Sequence, residues 1–145
     1  TFHAAAGRSE LKQLHNGTRV LCDYYNANHS SMVAAFELIS AKTGGALIAC
    51  LGDMLELWTH EESFHRGLAE SLIANKFSNI LLFGPKMKWL EYEFKKRKFT
   101  GECHWFENKS DLSAHLKKTT QPGDRVLIKG SRGMRMEEVW ESVFK

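Results

Sequence analysis

Ala46-Leu47-Ile48-Ala49-Cys50-Leu51 leads through Gly52-Asp53-Met54-Leu55-Glu56-Leu57-Trp58 into the stretch from Glu61 to Asn75. The first segment is an unbroken apolar run, as a strand covered on both faces must be. In the last, apolar residues recur every three or four positions, as on one face of a helix. The sequence repeats this change of period. Candidate strands are Arg19 to Cys22, Ala46 to Leu51, Asn79 to Phe83, Cys103 to Phe106 and Arg125 to Ile128. Candidate helices are Ser31 to Lys42, Glu61 to Asn75, Lys86 to Lys98, Ser110 to Thr119 and Met134 to Phe144. Repeated βα units with right-handed crossovers predict an α/β domain, a mostly parallel sheet of five or six strands with helices on both faces. Residues 1–18 read as a leader and 19–145 as the domain.

Local signals mark several boundaries. Thr59-His60-Glu61-Glu62 has the spacing of a capping box, and Gln121-Pro122-Gly123-Asp124 that of a tight turn into the last strand. The chain of 145 residues is long enough for one core, and 43% hydrophobic against 26% charged residues excludes a disordered polymer. No apolar run approaches the roughly 20 residues of a membrane span, and Thr1 to Arg8 lacks the order of a signal peptide, so a cytoplasmic protein is expected. Cys22, Cys50 and Cys103 are odd in number and embedded in apolar runs, which favours reduced thiols over a disulfide framework. The basic cluster Lys95-Lys96-Arg97-Lys98 closes a helical stretch, where cations complement the helix dipole.

In a sheet of this kind the ligand site lies at the carboxyl ends of the strands. Three polar segments fall there: Asp23-Tyr24-Tyr25-Asn26-Ala27-Asn28-His29-Ser30-Ser31, Gly52 to Trp58, and Lys129-Gly130-Ser131-Arg132-Gly133-Met134-Arg135. Each residue also has an ordinary structural explanation. Asp23 could cap a turn, Asn26 and Asn28 could satisfy loop backbone, and Ser30 or Ser31 could cap a helix. Lys129, Arg132 and Arg135 around two glycines have the composition of an anion-binding loop or of a turn with solvated charges. His60 and His65 are five apart, about 140° around a helix, so they form no i,i+4 metal pair. Gly130-Ser131-Arg132-Gly133 lacks the spacing of a Walker loop, and no other segment supplies it.

At these loops the chain resembles the C-terminal domains of the Mur ligases, in particular the branch that adds D-alanyl-D-alanine to a UDP-muramoyl-tripeptide. Gly7-Arg8-Ser9-Glu10 is similar to the family's G-R-x-E segment, and Asp23 to Asn28 with Ser31-Met32 to its D-x-Y-N-A-N-P-x-S-M motif. Leu51 to Leu57 with His65 resembles L-G-D-M-x-E-L, and Lys129 to Met134 with Met136-Glu137 resembles the last signature. His29 stands where the family usually has proline, which puts the geometry of that loop in question.

The resemblance implies a Rossmann-like domain that works beside an ATPase domain and a UDP-binding domain of the same polypeptide. ATP and Mg2+ would be bound mainly by the ATPase domain. By the same resemblance Arg8, Asp23, Tyr25, Asn26 and Asn28 are expected at the nucleotide, and Ser131, Arg132 and Lys129 at the substrate. No catalytic residue, metal site, nucleic-acid partner or membrane insertion is expected of this domain, and alone it should be inactive. A related ligase, such as a folylpolyglutamate synthase, would carry D-Y-A-H-N-P rather than Asn26-Ala27-Asn28. A free-standing nucleotide- or anion-binding module is the other class that fits.

Overall fold

The computed structural model describes residues 9–145. Six strands form one sheet: β1 (Glu10–Gln13), β2 (Arg19–Asp23), β3 (Leu47–Gly52), β4 (Asn79–Phe83), β5 (Glu102–Phe106) and β6 (Arg125–Lys129). The helices are α1 (His29–Ser40), α2 (Glu61–Ala74), α3 (Met87–Lys96), α4 (Lys109–Thr119) and α5 (Glu137–Val143), with short 3-10 turns at Trp58–His60 and Arg132–Met134. Strand order is β1-β2-β6-β3-β4-β5, parallel except for β1. The α/β class and the five strands expected from periodicity are therefore present.

Strand parity sorts the core into two layers. Leu21, Ala49, Leu51 and Leu127 pack under α1, α2 and α3 against Phe36, Leu68, Leu72, Leu90 and Phe94. Val20, Cys22, Ile48, Val126 and Ile128 face the other way, toward Leu112 and Leu116 of α4 and Val139 of α5. Every residue of β3 is buried, which explains its continuous apolar run. Burial also pushes the Cys22 and Cys103 thiols up to about 12, so both stay protonated near neutrality. Among the described residues no helix is long and apolar enough to cross a membrane.

Four local expectations are corrected. Residues 10–13, inside the segment read as a leader, form the antiparallel edge strand β1, with Glu10 opposite Cys22. Thr59 does not cap α2. It lies in the 3-10 turn, and the residue at the cap position, His60, makes no side-chain cap bond. The capping box falls instead at Asn28, which accepts from the Ser31 N–H while the Ser31 hydroxyl accepts from the Asn28 N–H, so α1 starts at His29. At the C-terminus, Arg135 adopts a left-handed conformation with φ 53°, which interrupts the expected helix and delays α5 to Glu137. The Gln121–Asp124 turn forms as read: Asp124 N–H donates to Gln121 O at 3.1 Å, and Gly123 takes φ +88°.

Candidate functional site

β6 lies between β2 and β3, yet the helix that follows it sits on the opposite face from those that follow its neighbours. The chain leaving β6 thus turns away from the loops on both sides. That divergence opens a crevice at the carboxyl end of the sheet, the place where doubly wound folds take ligands.

Asp23 and Lys129 are the last residues of β2 and β6 and are direct register partners. Matching parity puts both side chains on one face, and Lys129 Nζ stands 2.8 Å from Asp23 Oδ2. The ammonium also donates to the backbone carbonyl of Asn26 at 2.8 Å, and Ser9 Oγ donates to the same Asp23 oxygen at 3.0 Å. Lys129 is 1% exposed. Burial pulls its pKa below the ordinary value, and the Asp23 carboxylate works against that shift. Removing one member of a buried pair costs about 3–5 kcal/mol, because the other charge is left uncompensated. Lys129 was expected at the substrate. In the structure its buried side chain ties the first and last strand-end loops together.

Ser131 binds the three loops together. Its hydroxyl accepts from Leu55 N–H at 2.7 Å and lies 3.4 Å from the Ala27 carbonyl, and its own N–H donates to Asp53 O at 3.0 Å. The neighbouring Gly130 is a packing glycine. A Cβ there would meet Met136 Cγ at 2.8 Å and Gly52 Cα at 3.1 Å. The N–H groups of Met134 and Arg135 turn back onto Ser131 O and Arg132 O. Three N–H groups of the loop, those of Ser131, Met134 and Arg135, are therefore engaged within the protein rather than turned toward an anion.

Outside this frame stand the residues that face solvent. Arg132 lies over the ring of Tyr25 at 5.1 Å, a cation–π contact that joins the loop after β2 to the loop after β6. Asn26 is exposed next to it. Asn28 uses its side chain to cap α1, accepting from Ser31 N–H and Ser30 Oγ at 2.9 Å each. His29 takes the first helical position, where proline is also favoured, and its ring packs on Phe64 of α2 at 5.6 Å. A ring contact to the next helix thus stands where the pyrrolidine ring would have fixed the backbone. Arg8 lies outside the described residues.

Two buried polar residues beneath the crevice, Asp53 and His65, belong to the motif from Leu51 to Leu57 and its downstream histidine but were given no role by sequence reasoning. Asp53, 1% exposed, accepts from Lys86 N–H at 3.2 Å and Met87 N–H at 3.0 Å and so fixes the start of α3. Burial pushes its carboxyl up to about 6, against the pull of those N–H groups and of Lys86. His65, fully buried, accepts at Nε2 from Met54 N–H at 3.0 Å, so its Nδ1 carries the proton donated to Glu61 O at 2.6 Å. Burial pulls its pKa down. The sequence signal was present, an aspartate and a histidine inside apolar segments, but only the fold reveals what each one holds.

A doubly wound sheet whose polar loops converge on one strand-order reversal defines a class of ligand-handling α/β domains. The model of the Mur ligase, glutamate ligase domain family matches residues 7–132, and the chain belongs to that family. It is 32% identical over 133 residues to the UDP-N-acetylmuramoyl-tripeptide--D-alanyl-D-alanine ligase of Bacillus subtilis, an alignment covering 91% of this chain and 29% of that protein. Against the enzyme of the same name from Escherichia coli, identity is 33%, with 94% and 29% covered. A crystal structure of MurF from Acinetobacter baumannii superposes with a TM-score of 0.85 at 24% identity, over 97% of this chain and 31% of that one. MurF ligase from Thermotoga maritima, solved in complex with ADP, gives 0.81 at 23%, over 99% and 31%. These two likenesses concern the fold. The chain spans less than a third of the length of these relatives.

Proposed function

We propose that this chain is the C-terminal domain of an ATP-dependent ligase that adds D-alanyl-D-alanine to UDP-N-acetylmuramoyl-tripeptide, and that it contributes one wall of the active cleft. The observation that carries this reading is the Asp23–Lys129 pair together with the Ser131 node. They lock three strand-end loops at the switch point and leave Tyr25 and Arg132 facing outward. Rigid support beneath an exposed polar rim is what positioning two large substrates requires.

In this reading Lys129 and Ser9 hold Asp23 Oδ2, and Oδ1 is the oxygen a ribose hydroxyl would meet. Tyr25 and Asn26 line the same side, Asn28 shapes the loop by capping α1, and Arg8 belongs to the nucleotide group by family resemblance. Arg132 offers a planar guanidinium to the dipeptide carboxylate, with Ser131 holding the loop that presents it. ATP supplies the phosphoryl group that activates the acceptor carboxylate. By the family resemblance, ATP and Mg2+ are held mainly by the ATPase domain of the same polypeptide. A related domain from Haemophilus ducreyi, crystallised as a domain, superposes with a TM-score of 0.65 over 94% of this chain, which favours an independently folding unit.

The test is Arg132→Lys in the intact ligase, with each substrate varied in turn. The apparent KM for D-alanyl-D-alanine should rise about tenfold, since an ammonium keeps the charge and loses the fork. The ATP parameters should change much less. Impairment toward ATP alone would move Arg132 to the nucleotide group.

A further inference from the structure

Trp58 combines two costs that this domain does not recover. Its indole is 81% exposed, and its backbone sits at φ 56°, the left-handed region that a bulky residue rarely adopts. Glu56, two residues earlier, is also left-handed at φ 61°. The segment is nevertheless firmly held. Met54 N–H is bound by His65, Leu55 N–H by Ser131 Oγ, and Leu57 O accepts from His60 N–H at 3.2 Å. Strain that the surroundings impose on a solvent-facing aromatic points to a use for that side chain outside the domain. Phe64, 37% exposed, follows in the first turns of α2, with the rings of His60 and His29 packed on it at 5.4 and 5.6 Å.

The loop leaves β3 at the same sheet edge as Asp23, Arg132 and Tyr25. The loop carrying Trp58 is tied to the β6 loop through Ser131, and Phe64 meets His29 after β2, so whatever covers the candidate site comes close to both aromatic residues. The larger part of such a ligase lies outside this chain, which spans 29% of its relatives' length. From the exposure of these aromatics, the strain at Trp58 and their place beside the cleft, we infer that Trp58, with Phe64, is a docking contact for the nucleotide-holding domain of the same polypeptide, buried when that domain closes on the cleft. The inference rests on the ligase reading above and adds to it a residue outside the substrate contacts.

The experiment uses the intact polypeptide labelled with 5-fluorotryptophan, the Trp58 resonance being assigned with Trp58→Phe. A soluble gadolinium chelate reports exposure with and without a non-hydrolysable ATP analogue, Mg2+ and UDP-muramoyl-tripeptide. Trp58 should lose its relaxation enhancement when the ligands bind, independently of protein concentration. Persistent exposure in the ligand complex overturns the inference, as does protection that grows with protein concentration, which would assign the Trp58 contact to a second copy. Trp58→Gly supplies a second arm. Glycine relieves the left-handed backbone, so the thermal midpoint should hold or rise while the apparent KM for ATP rises about tenfold. Unchanged kinetics also overturn the inference. A wild-type polypeptide without ligase turnover sinks both readings, whereas turnover with an exposed Trp58 sinks only this one.

Discussion

His65 has one tautomer available to it, because Nδ1 must donate to Glu61 O and Nε2 must accept from Met54 N–H. Protonation would set an N–H against that N–H. With its folded pKa below the ordinary value of about 6.5, the neutral ring contributes stability above that pH, and the contribution is lost as pH falls. Asp53 has the opposite sign. Its carboxyl is raised to about 6, so its contribution is present below the ordinary carboxylate range and is lost as pH rises through about 6. His65→Leu separates the two, since Asp53 is common to both proteins. At pH 7.5 the variant should be less stable by about 1–3 kcal/mol, the scale of an orphaned buried N–H. That gap should narrow at pH 5.5, where the wild-type ring is penalised and leucine is not. Urea denaturation of both proteins at the two pH values measures it, and a gap independent of pH would show that His65 acts through packing alone.

At the scale of elements, the two ends of the sheet have different work. The carboxyl end carries the candidate site, while the amino end is closed by Asp124 and Arg125. Asp124 accepts from Ala46 N–H and Gln121 N–H. Arg125 donates to Ser40 O, Lys42 O and Gly45 O at 2.7–3.0 Å, capping the carbonyl end of α1 with a positive charge. Gly44 is needed for the approach, since a Cβ there would meet Arg125 Cγ at 2.8 Å. Arg125→Ala should lower stability by about 1–2 kcal/mol, and Arg125→Lys should restore only part, because one ammonium cannot span three carbonyls. A denaturation midpoint unchanged by Arg125→Ala would reduce the clamp to a surface contact. Elements of this kind differ in legibility. β3 could be read because burial on both faces makes it apolar throughout, and α2 because its buried residues include Leu68, Ala69 and Leu72 on one face. β1 could not, since four residues in alternating half-exposure carry too weak a period, and α5 was shortened by the left-handed turn at Arg135.

For the whole molecule, the 145-residue chain should fold cooperatively and neither hydrolyse ATP nor ligate the dipeptide, because no Walker spacing exists in it. Circular dichroism through a urea gradient and a coupled phosphate-release assay check the two halves of that expectation, and turnover by the purified chain would overturn the second. What the sequence determined by itself is the α/β class, the strand-end position of the polar loops and the family, because these rest on local periodicity and on motifs contiguous along the chain. The tertiary structure decided the roles within the loops. Lys129 reads as a free cation beside glycines until the register of β6 against β2 buries it on Asp23. Along the chain Ser131 is only a hydroxyl beside Arg132, whereas in the fold Leu55, Ala27 and Asp53 converge on it from two other loops. Arg132 and Tyr25 are more than 100 positions apart and meet only because β6 inserts beside β2. The physical reason is that a residue's hydrogen-bonding capacity is local, whereas its partners and its burial depend on strand order, which brings distant segments together across the sheet.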